Sequence, residues 1–466
     1  MRKACLFIAW LLLGQWPAFA LPGLPPANGP GWKAGVARVV ITPGEDMWMA
    51  GFASRTHPSE GKRHDLWAKA LAMEDAGGNR AVLVTADLLG LPKQVSDNIR
   101  DALQARYRLS RAQLLLNSSH THSAPVLENA LVDIYPMDAA QQEKVVRYTR
   151  RLEAQLVDLV GKALKSLESV QLYAQNGVTR FQVNRRNNIA SQLTQLTELK
   201  GPNDYAVPVI KVVNGKGKIK AIAFGYACHP TVLNDYQWSG DYAGYAQLEV
   251  EKAYPGATAL FFQSAGADQN PLPRNTEALA QQYGRELAAA VSRVLTEDMR
   301  PLPAQVATAY VEVELPLRQA PTEAELTQIA SRTTIDYQKR WATRMLARQK
   351  RGEAFPTAYP YPLQVWKLGD QLLLALGGEL VVEYAIKLKQ IFGTEAFVLG
   401  YSNDVMAYIP SAKILQEGAY EGATSQMVYG QPALWATNLE ALILSEMVRL
   451  ARQAEALPAT TGAIDK

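Results

Sequence analysis

Short apolar runs that stop abruptly in polar, histidine- or glycine-bearing loops recur along this chain, and nothing else in it constrains the fold as much. Residues 81–86, 112–116, 219–226 and 257–262 are continuously apolar or nearly so, the pattern of strands buried on both faces. Further strands are expected at residues 36–41, 207–213, 363–368, 371–376 and 397–401, and a half-exposed one at 306–315, where apolar and polar residues alternate. Helical periodicity covers residues 96–108, 140–167, 242–254, 277–295 and 433–452. Strands and helices alternate from about residue 80 to 450 without an internal repeat or a long linker. This predicts an α/β fold: one large domain, a parallel or mixed sheet flanked by helices, and an active site at the strand ends. Residues 321–351 are polar, charged and helical, an excursion that would serve as a lid or flap, and the prolines at 356–362 end it.

The hydrophobic fraction, 48%, is that of a globular protein with a substantial core. A formal charge of +4 on 466 residues is close to neutral, which excludes the concentrated basic face that nucleic acid requires. Two of the positive charges, Arg2 and Lys3, precede an apolar run at residues 4–13 and the small-x-small site Ala18-Phe19-Ala20. Residues 1–20 therefore read as a secretory signal peptide, too short in its apolar part to span a bilayer. The expected organisation is a signal peptide at 1–20, a catalytic domain at 21–455 and a flexible tail at 456–466, in a protein exported to a periplasm or the medium. With no transmembrane segment, contact with a membrane surface would be transient. Cys5 leaves with the signal, so Cys228 has no partner for a disulfide. No oligomer signature is visible.

The chain has five histidines and none after His229. His120, His122 and His229 sit where predicted strands end, the place where ligand and catalytic groups collect in open α/β sheets. In extended backbone His120 and His122 point to the same side, so both can reach one metal, or one can bind metal while the other handles protons. The hydroxyls of Ser118, Ser119, Thr121 and Ser123 around them would orient the imidazoles. Glu379 follows a strand and a Gly-Gly pair, where a carboxylate is costly unless it is paired or ligates metal. Zinc accepts imidazole nitrogen and carboxylate oxygen. Any ligand late in the chain must be oxygen from Asp, Glu or Tyr.

From about Gly35 to Trp435 the sequence resembles the catalytic domain of the neutral ceramidases, zinc amidases that split ceramide into sphingosine and a fatty acid. The resemblance rests on the opening Gly35-Val-Ala-Arg-Val-Val-Ile-Thr-Pro43, on Ser119-His-Thr-His-Ser-Ala-Pro125, and on Tyr226-Ala-Cys-His-Pro230. Later come Gly378-Glu379, Ala407-Tyr-Ile-Pro410 and Tyr420-Glu-Gly-Ala423. It implies one zinc per chain held by His120, His229, Glu379 and Tyr408, with Tyr420 and Arg185 also in the active site. Two departures stand out. Asn270, in Gly266-Ala-Asp268-Gln-Asn270-Pro271, occupies the place of a serine implicated in the family's catalysis. The chain also ends soon after the last motif, where full ceramidases carry a further β-sandwich domain.

The expected chemistry is hydrolysis of an amide in a small-molecule or lipid substrate by zinc-activated water. His122 is the expected general base and later acid, Tyr420 donates to the oxyanion, Arg185 holds a polar substrate end, and Asp268 and Asn270 line the pocket. Asp87 is a weaker candidate for support of the site, and His57 and His64 read as loop residues. A metallo-esterase or phosphoesterase would use the same metal. A (β/α)8 amidohydrolase also opens with H-x-H but wants later histidines. Asn270 leaves open an exported binding protein that keeps the pocket without turnover.

Overall fold

A computed structural model describes residues 31–456. The signal peptide expected at 1–20 and, Ala456 apart, the tail expected at 456–466 lie outside the described residues. The strands that build the two sheets are β1 (Trp32–Val40), β2 (Trp67–Glu74), β3 (Arg80–Ala86), β4 (Leu114–Ser118), β5 (Glu168–Val178), β6 (Ala206–Asn214), β7 (Ile219–Tyr226), β8 (Thr258–Gln263), β9 (Val306–Pro316), β10 (Ala358–Leu368), β11 (Gln371–Leu376) and β12 (Phe397–Leu399). The main helices are α1 (Lys93–Tyr107), α2 (Ala139–Lys165), α3 (Asp241–Ala253), α4 (Glu277–Thr296), α5 (Glu323–Arg332), α6 (Asp336–Lys350), α7 (Val382–Phe392) and α8 (Leu439–Ala456).

The first sheet runs β8-β7-β6-β5-β1-β2-β3-β4, and the second β9-β10-β11-β12. Only β3–β4, β7–β8 and β11–β12 are parallel among these neighbours, so the sheets are mixed. Inner faces of both sheets share one apolar layer, with Trp32, Leu83, Ile210 and Phe262 from the first and Trp366, Leu373 and Phe397 from the second. Helices α1 and α2 cover one part of the first sheet's outer face and α3 and α4 another. Helices α7 and α8 cover the second sheet. The result is a four-layer α/β/β/α arrangement, with one face of each element buried against the next.

Two strands have no counterpart among the sequence expectations. β2 reads Trp-Ala-Lys-Ala-Leu-Ala-Met-Glu, rich in helix formers, yet it lies between β1 and β3 and every residue after Trp67 is buried. β5 is polar and carries Gln171, Gln175 and Asn176, yet it pairs with β1 on one side and β6 on the other. In both, sheet pairing and burial override local preference. The expected break at 356–362 is instead the first half of β10, where Pro360 and Pro362 face Glu314 and Glu312 of β9. Pairing with β11 begins only at Leu363, so the prolines occupy a stretch with one open edge, where a missing N–H breaks no ladder. The excursion at 321–351 is a pair of helices, α5 and α6, between β9 and β10.

One buried acid makes the fold pH-sensitive. Asp404 is 3% exposed; its Oδ2 accepts from the Tyr359 hydroxyl at 2.7 Å, and its Oδ1 has no hydrogen-bond partner. Burial pushes its carboxyl up to about 7. Because that lies above the unfolded value, stability tied to Asp404 is full below about pH 4 and is lost as the pH rises towards 7. Asp404→Asn keeps the acceptor for Tyr359. Its stability relative to wild type should grow by about 2–3 kcal/mol between pH 5 and pH 8 in denaturant melts, and a pH-independent difference would refute this.

Candidate metal centre

The edge strands of the first sheet, β4 and β8, meet at their C-terminal ends. Asn117 makes that junction: its Oδ1 accepts the Gln263 amide at 2.8 Å, and its Nδ2 donates to the carbonyls of Gln263 and Gly400 at 3.3 and 2.8 Å. The loops after β4, β7, β11 and β12 are thereby gathered into one place, and each brings a side chain. His120 follows β4 in a left-handed conformation at φ 64°, and Tyr401 follows β12 at φ 51°. Such conformations are strained for non-glycine residues and mark places that the surroundings over-determine. His229 follows β7, and Glu379 follows β11 through Gly378. Gly378 has φ 68°, and a Cβ there would lie 2.6 Å from Ile409. Gly51 is equally restricted: a Cβ on it would come within 2.5 Å of the His122 ring.

The imidazoles are oriented by backbone carbonyls. His120 Nδ1 lies 2.6 Å from the Leu89 carbonyl and His229 Nδ1 2.7 Å from that of Gly266, so in each ring Nδ1 carries the proton and Nε2 presents a lone pair. The expectation that the neighbouring hydroxyls would do this is corrected here. Ser118, Ser119 and Ser123 have buried hydroxyls without partners, and Thr121 donates to the Ser239 carbonyl. Their small size lets the loop pack tightly; their hydrogen bonds do not steer the rings.

Both Nε2 lone pairs point at one carboxylate oxygen. Glu379 Oε2 is 3.2 Å from His120 Nε2 and 3.1 Å from His229 Nε2, and neither Oε2 nor His229 Nε2 makes a well-formed hydrogen bond. His122 Nε2 stands 3.3 Å from His120 Nε2. The three histidine rings form a group able to hold a metal ion. Burial lowers the His229 imidazole to about 4 and holds His122 well below its ordinary value, aided by the neighbouring rings. Burial opposes the charge of Glu379, but His120 and His229 in their protonated form outweigh it and hold the carboxyl well below the usual range, so a positive charge belongs between these groups. Neutral imidazole acceptors crowding an ionised carboxylate repel unless a cation, or a shared proton, sits between them. The donor set therefore fits a divalent metal of the imidazole-binding type.

The remaining candidates surround this cluster. Tyr408 is the register partner of Glu379 in a short parallel pair, and its hydroxyl accepts from Arg185 Nη2 at 3.1 Å. Arg185 also donates from Nε to Glu421 at 2.8 Å and from Nη1 to Asn270 Oδ1 at 3.4 Å. Its guanidinium lies over the rings of Tyr408 and Tyr420. Tyr420 is 40% exposed, with its ring centroid 5.3 Å from that of Tyr408. Asp268 is turned elsewhere: its carboxylate accepts the Val382 amide at the start of α7 at 2.9 Å and the Asn184 side chain at 3.0 Å. Asp87 accepts from the Trp67 amide and from Gln247. Two tyrosines escaped sequence reasoning. Tyr429 donates to Glu379 Oε1 at 2.5 Å, and the Tyr401 ring lies 4.4 Å from that of His120 with its hydroxyl buried and unpartnered. Tyr401 ends a predicted strand, the criterion that singled out the histidines, whereas Tyr429 carried no signal beyond the tyrosine-rich loop around it.

Residues 32–301, more than half of the chain, match the family model of the neutral/alkaline non-lysosomal ceramidase N-terminal region. The chain belongs to the neutral ceramidase family. Curated neutral ceramidases similar to this member come from Drosophila melanogaster, 26% identical over 234 residues, and Pseudomonas aeruginosa, 24% identical over 258 residues. Those matches cover 48% and 52% of this chain but only 32% and 37% of the relatives, so the ceramidase-family chain spans about a third of their length. The crystal structure of neutral ceramidase from Pseudomonas aeruginosa superposes with a TM-score of 0.72 at 18% identity, covering 94% of this chain and 77% of that one, which establishes the shared fold. Among the described residues no helix is long and apolar enough to cross a membrane.

Proposed function

We propose that this protein is an exported, zinc-dependent amidase that hydrolyses an N-acyl amide of the ceramide type, its catalytic domain occupying residues 21–455. The observation that carries the reading is the convergence of two carbonyl-oriented imidazoles on Glu379 Oε2 at 3.1 and 3.2 Å without a hydrogen bond between them. Family membership supports the amide as the bond broken. His120, His229, Glu379 and Tyr408 would hold one zinc, which when bound supplies Lewis acidity and a nucleophile from water near neutral pH.

The chain's own residues then do the rest. His122, kept neutral by burial, is poised to take a proton at Nε2 and return it to the leaving amine. Tyr420, half-exposed with its ring against that of Tyr408, donates its phenol hydrogen towards the developing oxyanion. Arg185, anchored by Glu421, holds Tyr408 and Asn270 and presents its remaining hydrogen-bonding capacity to the substrate's polar end. Asn270 offers an amide where the family has a serine, which favours a role in binding over nucleophilic attack. Asp268 supports the pocket by tying the start of α7 to Asn184.

The test is metal content of the purified protein by mass spectrometry beside turnover of a fluorescent short-chain ceramide and simple N-acyl amides. About one zinc per chain and hydrolysis abolished by chelator are expected. Stoichiometric zinc without turnover would favour the binding-protein reading that Asn270 suggests. Absence of both, even after zinc is added, would sink the proposal.

The Tyr429 hydroxyl fixes the Glu379 oxygen that faces away from the imidazoles. Tyr429→Phe is therefore expected to weaken zinc affinity by roughly 10- to 100-fold in chelator competition, the range for removing a group that orients a metal ligand. Unchanged affinity would mean that Glu379 is held without it.

A further inference from the structure

An open groove, of about 880 Å³, lies between the α5–α6 insertion and residues 423–434. None of the metal-centre residues lines it. The insertion above it is fixed, because Arg344 pairs with Asp133 at 2.5 Å and Trp341 donates to the Gln431 carbonyl at 2.9 Å. Ile329, Trp341, Met427 and Ala433 give the groove apolar walls. Its rim is cationic. Arg318 spends only Nε, on the Trp435 carbonyl, and Arg332 makes no side-chain hydrogen bond or ion pair among the described residues. The one rim carboxylate, Glu325, is engaged in capping α5 through Thr322.

We infer that this groove is a binding site for a free long-chain carboxylate, distinct from the metal centre. An open groove of this size can lay a single alkyl chain against Ile329, Trp341, Met427 and Ala433. Two guanidiniums without carboxylate partners suit an anionic head. The identity of the ligand rests on the proposed amide hydrolysis, whose acid product has this chemistry. The position suits a product site as well. Glu421 contacts Arg185, while Ala423 and Thr424, two and three residues on, line the groove, so a single turn of chain separates the two sites.

The test is quenching of tryptophan fluorescence by 9,10-dibromostearate in the full chain. Saturable quenching at one molecule per chain is expected, with its amplitude reduced in Trp341→Phe. Both rim arginines are exposed, so the double variant Arg318→Gln/Arg332→Gln should fold and bind at least tenfold more weakly. Ala320→Trp, which narrows the groove, should do likewise. Stearyl alcohol should compete at least tenfold less well than stearate. Chelated protein and His229→Ala should bind the brominated acid as wild type does. Binding there without any amide turnover would leave this site standing while the proposed reaction falls; turnover without binding would do the reverse. No saturable quenching, equal affinity in the arginine variant, equal competition by the alcohol, loss of binding on chelation, or displacement by phosphatidylglycerol vesicles as effective as by stearate would each overturn the inference.

Discussion

Replacing His229 with alanine is expected to strip the protein of zinc and to lower amide turnover by roughly a thousandfold or more, about 4 kcal/mol in the barrier. The size of the effect follows from the way the site is built. His229 is fully buried, its Nδ1 is committed to the Gly266 carbonyl, and its Nε2 has no partner other than the Glu379 oxygen it faces. On the proposed reading this lone pair is held for the metal. The cavity left by the ring cannot be refilled by solvent in the same geometry, and the remaining donors no longer enclose the ion. A metal binds the folded state and not the unfolded chain, so wild type should melt at a lower temperature after chelation and recover with zinc. His229→Ala should show neither response. Mass-spectrometric metal content, calorimetric melts with and without chelator, and kcat/KM on one amide are sufficient. A variant that keeps stoichiometric zinc would show that the metal is held elsewhere.

Arg185→Leu should be nearly as damaging, but by a different route. Arg185 and Arg186 together neutralise Glu421, whose side chain is only 6% exposed. Removing one of two cations from a buried carboxylate leaves it part-paired, and breaking such a pair by deleting one partner costs about 2–4 kcal/mol here, somewhat below the fully buried case because Arg186 remains. Turnover should fall about a hundredfold as well, since Tyr408, Asn270 and the 420–424 turn all lose the group that ties them together. Glu421→Gln should recover most of the stability in the Arg185→Leu background, because the uncompensated charge is then gone, but not the turnover. That split separates charge balance from positioning. If the double variant melts no higher than Arg185→Leu alone, the pair is not the source of the stability.

The extent to which the fold could be read from sequence differs between elements for physical reasons. β3, β7 and β8 are apolar runs bounded by polar loops, and burial on both faces writes itself directly into composition. β2 carries alanine, leucine, lysine and methionine and is a strand only because β1 and β3 flank it. β5 is polar along much of its length and is a strand for the same reason. The prolines of β10 are tolerated because β11 is shorter and leaves that stretch an open edge, a fact about a neighbour's length that no local pattern contains.

At the site, the sequence by itself determined which atoms are available. It put imidazoles and a carboxylate immediately after strands, left no histidine after residue 229, and ordered the motifs that the ceramidase family shares. The tertiary structure alone decided how they meet. Asn117 joins the two edges of the first sheet, which brings His120, after β4 at one edge, and His229, after β7 next to the other edge, to one Glu379 oxygen. The carbonyls of Leu89 and Gly266 chose the tautomers, and backbone carbonyls have no side-chain identity for a sequence to reveal. Asp268 went to a helix end and Tyr429 to the carboxylate for the same reason: a hydrogen bond is settled by distance and direction, and both are set by the packing of segments far apart in the chain.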